Sequence, residues 1–429
     1  MDMRTAHALA RFGLGRRLTE PPPADPGVWL ISQIRTAALP RIDPPAATES
    51  GLLALREDRA NKPKPGESRA RALFVAQAAG ELGEALTTAA PFRERLVWFW
   101  TNHFTISLRR GECTGVACAF IEEAIRPHVT GRFATMLLAV MRHPAMLLYL
   151  DNARSVGPAS PAGQRNRLGL NENLARECLE LHTVSPAAGY TQADVTALAR
   201  ILTGWSIDIR GDPPGYRFRP MAHQPGAQTL MGRTFPPGEE GGLSALSFLA
   251  DHPAAYRFLA TKLVRHFVAD DPAPADVRRI EGVLRDTSGD LGAAAAALVG
   301  LESAWQPGTK VRTPQEFMIA AIRALDLPEG NRPNMVGVLA VLGQPFLTAP
   351  APNGWPDRAA DWAAPEGMLR RVDWAHGFAG RLGARDPMDI AEATLGPLLR
   401  PATREAMGRA GSRRDALTLL LTSPEFQRR

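Results

Sequence analysis

The densest run of chemistry-bearing side chains is Asn171-Glu172-Asn173-Leu174-Ala175-Arg176-Glu177-Cys178-Leu179-Glu180-Leu181-His182. Helical spacing puts Asn173, Arg176, Glu177 and Glu180 on one stripe and the apolar residues on the opposite side. Two carboxylates one turn apart can share a proton or a cation. Sharing raises the pKa of one of them and suits acid/base work. Arg176 offers a bidentate grip on a carboxylate or phosphate, and the start of the helix at Glu172 and Asn173 favours an anion. His182 falls on the far side from the carboxylates, so this is not the Glu-x-x-His pattern of a di-iron helix. It reads as a helix-end residue that caps carbonyls or joins a neighbouring site. The spacings Arg176/Glu180 and Asn173/Glu177 are also those of any solvated helix face, and both readings stand at this point.

The second group is Trp98-Phe99-Trp100-Thr101-Asn102-His103-Phe104. One reading is an aromatic-walled pocket in which His103 is a general acid or base and Trp100 and Asn102 touch substrate. The other is a histidine complementing the dipole at a helix C-terminus. Asp151-Asn152, at a helix end, and His223, in a turn, are further substrate contacts because loops carry function. Lys262 and His266, one turn apart, read as a solvated cationic stripe, with an anion site as the alternative. His143 and His252 precede prolines at helix starts and read as caps. The catalytic set expected is therefore Glu177, Glu180, His103 and His182. The binding set is Arg176, Asn173, Asp151, Asn152, Trp100, Asn102 and His223. Glu177, Glu180, His182, His103 and His223 have metal-ligand chemistry. No local spacing matches a ligand motif, so a divalent metal is an option of residue type alone. No nucleophile elbow or phosphate loop occurs, and Gly13-Leu14-Gly15 has no strand before it.

The elements that must position these residues are helical almost throughout. The pattern predicts a mainly α fold: a single large irregular helical domain over residues 1–429, with a small β-hairpin insertion at 212–241. Pro91 opens a helix to His103. Helices follow over Phe133–Met141, Ala145–Leu150 and Glu172–Leu181. Thr191-Gln192-Ala193-Asp194 has capping-box form, and Thr313-Pro314-Gln315-Glu316 is a second start signal. Pro253–Val268 is strongly amphipathic. Residues 57–69 read as a mobile surface loop and 155–167 as a polar loop. Ala349–Pro356 is a rigid, turn-rich segment. No fixed-period repeat suggests a solenoid.

The 429 residues are 45% hydrophobic and 22% charged, which excludes a mostly disordered chain. No apolar run is long enough to span a membrane. Only four of the 50 basic residues are lysine. This bias reads as that of a GC-rich genome, and nucleic-acid binding through the net charge of +6 ranks last. Cys113, Cys118 and Cys178 have no paired spacing and read as buried small hydrophobes. The N-terminus has no secretion signal. The chain as given reads as cytoplasmic, or as periplasmic or extracellular if a leader has been removed.

Several motifs together resemble one bacterial family, the domain-of-unknown-function family numbered 1800. They include Arg11-Phe12-Gly13-Leu14-Gly15, Trp100-x-Asn102-His103-Phe104, His143-Pro144 through Asp151-Asn152, Asn171-Glu172-Asn173 through His182-Thr183, and Gly189-Tyr190-Thr191-Gln192 through Gly204-Trp205. Lys262-Leu263-Val264-Arg265-His266-Phe267, Pro350 through Pro356 and Ser423-Pro424-Glu425-Phe426-Gln427 extend the match over essentially the whole chain. The resemblance implies no reaction and no residue roles. It implies export, and genes placed beside sulfatase-like proteins of a second family numbered 1501, hence polysaccharide or anionic substrates. The chain departs from exported members in its start, and in having Val184-Ser185-Pro186 where a Leu-Gly turn is common. The expected function is a hydrolase working by acid/base or metal-assisted chemistry on a polar or anionic, saccharide-like substrate. The alternative is a non-catalytic partner or assembly factor for a sulfatase-like protein.

Overall fold

A computed structural model describes residues 1–36, 42–64, 66–109, 111–166 and 169–429. The fold is mainly α, 62% helix and 4% strand. The helices that matter for the site are α1 (Met3–Arg11), α2 (Thr48–Asn61), α3 (Arg69–Thr87), α4 (Pro91–His103), α5 (Phe133–Arg142), α6 (Asn173–Glu177), α7 (Gln192–Ile201), α8 (Pro253–Phe267) and α9 (Pro314–Leu325). Two of them start as the sequence predicts. Thr191 and Thr313 accept from the backbone of Asp194 and Glu316, whose carboxylates reach back to the cap amide.

Two apolar clusters form the interior. The first draws on α4, α5, α7 and α8. The second is built on Phe317–Leu325 of α9 and the helices that follow it. Helix α3 serves both, giving Ala70, Phe74 and Ala78 to the first and Leu82, Ala85 and Leu86 to the second. Buried arginines tie the helix ends together. Arg11 donates to the Phe267 (3.1 Å) and Val268 (2.6 Å) carbonyls at the end of α8. Arg323 donates to the Gly15 and Leu86 carbonyls, both at 2.8 Å. Each guanidinium satisfies carbonyls that a helix end leaves without partners.

Three expectations need correction. Residues 57–61 are not loop, because α2 runs to Asn61 and α3 starts at Arg69. Asp58 caps α3 from across the turn, accepting from Ser68 Oγ (2.7 Å) and the Arg69 amide (2.9 Å). Pro65 lies outside the described residues. The 155–167 stretch holds a short helix, Pro161–Asn166, and Arg167 lies outside the described residues. The β insertion contains two antiparallel hairpins and starts earlier than 212. Strand β1 (Trp205–Asp208) pairs with β2 (Gly215–Phe218), and β3 (Gln228–Leu230) with β4 (Arg233–Phe235). None of the three cysteines is in a disulfide, and all are buried.

Candidate functional site

The helix bearing the carboxylates does not stay α. After Glu177 the backbone becomes a π-turn, Cys178–His182. An i→i+5 turn advances less per residue than an α-helix, so a helical wheel loses its register beyond Cys178. The π-turn carries His182 into the interior, fully buried, while Glu177 and Glu180 stay partly exposed. Burial and the Glu180 charge raise the Glu177 carboxyl above its ordinary range. Arg176 is held by Glu172 (3.1 Å) and Gln192 (2.9 Å), and Asn173 is exposed.

His103 ends α4 inside an aromatic cage of Phe99, Trp100, Phe104 and Phe133. Its Nε2 donates to the His182 carbonyl at 3.1 Å, and the two rings stand 6.0 Å apart. Burial, and then the charge of Lys262, pushes both imidazoles down, His182 to about 3. Both are therefore neutral. The structure thus brings His103 and His182 together, and Arg176, Glu177 and Glu180 together. No hydrogen bond or charge interaction joins the two sets among the described residues.

Of the remaining expected contacts, Asn152, His223 and Asn102 grip backbone. Asn152 donates to the Leu202 and Trp205 carbonyls, both at 3.1 Å, next to Asp151, which has φ +59°. His223 spans two segments: Nδ1 donates to the Thr203 carbonyl (2.8 Å) and Nε2 accepts from the Gly238 amide (2.7 Å). Trp100 is buried in the aromatic cage. Asn102 makes a two-point clamp on Trp355, donating to its carbonyl (2.9 Å) and accepting from its amide (2.8 Å).

That clamp forms one wall of a cleft of about 90 Å³ where the two apolar clusters meet. Trp98 and Trp355 line it, and so does Thr101, whose buried hydroxyl has no partner among the described residues. His266, Asp357, Glu316 and Glu81 supply its titratable groups. His266 Nδ1 donates to Asp357 at 2.6 Å. Burial, stronger than the pull of Asp357, lowers the ring's pKa and keeps it neutral. Burial would raise Asp357, but His266, Lys310 and Lys262 outweigh it and hold the carboxyl at about 2. Glu316 stays ionised despite burial because Arg429 (3.0 Å) and Arg95 (2.7 Å) flank it.

Glu81 goes the other way. Burial, only partly offset by Arg126 and reinforced by the Glu122 and Glu94 charges, raises it well above the carboxylate range. One guanidinium, Arg126, faces three carboxylates here: Glu81 at 2.8 Å, with Glu94 and Glu122 on its other nitrogens. Among the described residues, no group of three or more His, Cys, Asp or Glu is arranged to hold a metal. No helix of the described residues is long and apolar enough to cross a membrane.

Sequence reasoning missed this cleft. It placed Lys262 and His266 on a solvated face, yet His266 is buried against Asp357, ninety-one residues away. The one local signal was Asp357 itself, directly after the rigid Pro350–Pro356 segment that the Asn102 clamp fixes.

The described residues form a mainly helical protein with an aromatic-walled, largely apolar cleft. The chain belongs to the family described as protein of unknown function (DUF1800), which it matches over residues 7–428. Nothing matches it among curated proteins or among solved structures.

Proposed function

We propose that the chain is an acid/base hydrolase acting on an uncharged, hydroxyl-rich substrate, a saccharide-like molecule, in the cleft at His266. The observation that carries this reading is the pairing of opposite carboxyl states on one cleft. Asp357 is ionised and bonded to a neutral imidazole, while Glu81 is pushed toward its protonated form. Environments that drive carboxyls apart in this way mark an acid and a base. Asp357 is the base, held ionised by His266 Nδ1 while the ring's Nε2 faces the Arg95 guanidinium at 3.5 Å, and Glu81 is the proton donor. Ionised Glu316 and Asp357 disfavour an anionic substrate, whereas Trp98 and Trp355 offer rings for the apolar face of a sugar.

The test is a panel of chromogenic glycosides, esters and sulfates. Asp357→Asn and Glu81→Gln should each lower turnover about 10²–10⁴-fold. An activity that both variants retain refutes the assignment. Glu177→Gln in the same panel reads out the Glu177/Glu180 pair, with Arg176 as its anion contact, as the separate acid/base site the sequence suggests.

A second reading, a non-catalytic assembly factor for a sulfatase-like protein, is favoured by the sealing of the Arg126 cluster. Its four side chains are at most 7% exposed, as in a network that specifies a fold rather than performs chemistry. Co-purification with such a protein, undisturbed by Glu81→Gln and Asp357→Asn, would support it over catalysis.

A further inference from the structure

Away from the cleft, a groove of about 500 Å³ lies between two helices of the second apolar cluster, α10 (Met335–Val341) and α11 (Pro365–Ala379). Gly337, Val338 and Val341 wall one side and Trp374, Gly377 and Phe378 the other. Each set has helical spacing, so both helices turn a stripe to the gap. The groove shares no lining residue with the cleft. Trp374 is fixed in place: its ring stacks on Phe378 at 4.8 Å and meets Phe317 of α9 edge-on at 5.5 Å. Val341 is left 59% exposed. Gly377 keeps the groove open. A glycine inside a helix is destabilising relative to alanine, yet no atom lies within 4 Å of where a Cβ at 377 would stand. No packing contact requires this glycine, and a larger side chain there would enter the gap.

Among the described residues, the one charged group lining the groove is Arg381, just past the end of α11. It donates to the Asn331 carbonyl at 3.2 Å, and no carboxylate pairs with it among the described residues. An apolar trough with a lone guanidinium at one end is complementary to an apolar molecule with an anionic head, and the planar fork of arginine matches a carboxylate. The volume is that of a small-molecule site, about 300–1,000 Å³. The helical steps from Trp374 to Arg381 span ~10 Å, about the length of an eight-carbon chain. Walls that short cannot supply the roughly 800 Å² per partner of a standard protein interface. We propose that the groove binds the anion of a medium-chain carboxylic acid, with its chain against Val338, Val341 and Trp374 and its carboxylate on Arg381. The site does not depend on the hydrolase reading.

The experiment is isothermal titration calorimetry of the full chain with octanoate and, separately, with octanol. Octanoate should saturate a single site, and octanol should bind at least about tenfold more weakly, the worth of a charge-assisted hydrogen bond. Arg381→Gln should bring octanoate to the octanol level. Gly377→Leu should abolish binding of both while the melting temperature of the free protein holds or rises. Octanoate binding that survives Gly377→Leu, octanol binding as tight as octanoate, or no saturable site in the wild type overturns the proposal. So does a dimer of the free chain that Gly377→Leu disperses in sedimentation, because the groove would then be a contact between copies.

Discussion

Replacing Arg126 with methionine keeps the length of the side chain and deletes the only cation that, among the described residues, faces Glu81, Glu94 and Glu122. The cluster is 4–7% exposed, so water cannot take the place of the guanidinium. Removing one partner of a buried ionic group costs about 3–5 kcal/mol, because the remaining charge is stranded. Unfolding entropy of about 2.1 cal/mol/K per residue gives ~0.9 kcal/mol/K for 429 residues, so the melting temperature should fall by about 3–6 °C. Glu81→Gln should have the opposite sign at pH 7–8. The Glu81 carboxyl is raised in the fold, so its contribution is full below its unfolded pKa and is lost as pH rises through the folded value. Glutamine has no proton to acquire, so the variant should gain on the wild type at neutral pH, and the gap should close toward pH 4. Urea melts from pH 4 to 8 measure both variants. An Arg126→Met protein within 1 kcal/mol of wild type would refute the stranded-charge argument, and a Glu81→Gln protein that is weaker at pH 8 would refute the protonated-carboxyl argument. The second result would also remove Glu81 as the proton donor.

Three further outcomes are expected. Asp357 is held at about 2, so its stabilisation is present above the unfolded value and lost between roughly pH 4 and 2. Asp357→Asn should flatten that acid limb by about 2 kcal/mol in denaturant melts. Gly354 sits at φ +80°, and a Cβ there would lie 2.5 Å from the Asn102 carbonyl oxygen. Gly354→Ala should unseat Trp355, cost more than about 1 kcal/mol and abolish any quenching of tryptophan fluorescence by a cleft ligand. Ser185 holds φ +61° and ψ 164°, a region that costs a non-glycine residue about 1–3 kcal/mol. Ser185→Gly should therefore raise stability in the same melts, and a loss would show that the strain is relieved locally.

The parts of this molecule legible in its sequence are those that local chemistry decides. Both capping boxes, the proline-started α4 and the buried cysteines follow from neighbours within a turn. The departure from a Leu-Gly turn at Val184-Ser185 reappears as a serine in a glycine conformation. Local reasoning stops at the π-turn of Cys178–His182, because nothing in a helical wheel signals an extra residue in the turn. It stops again at Asp58, whose cap on α3 turns an apparent loop into two helices. The cleft was illegible for a different reason. His266, Asp357, Glu81 and Glu316 come from four distant segments, and an i, i+4 pair such as Lys262 and His266 looks the same facing water or facing Asp357.

The arginines at the helix ends change how the chain's charge should be counted. Among the described residues, nine basic side chains are buried against three acidic ones, an inward excess equal to the whole formal charge of +6. The outer skin is therefore close to balanced. Polyanions bind by touching side chains rather than by sensing composition, so heparin or duplex DNA at low salt should hold this protein no better than a neutral one of its size.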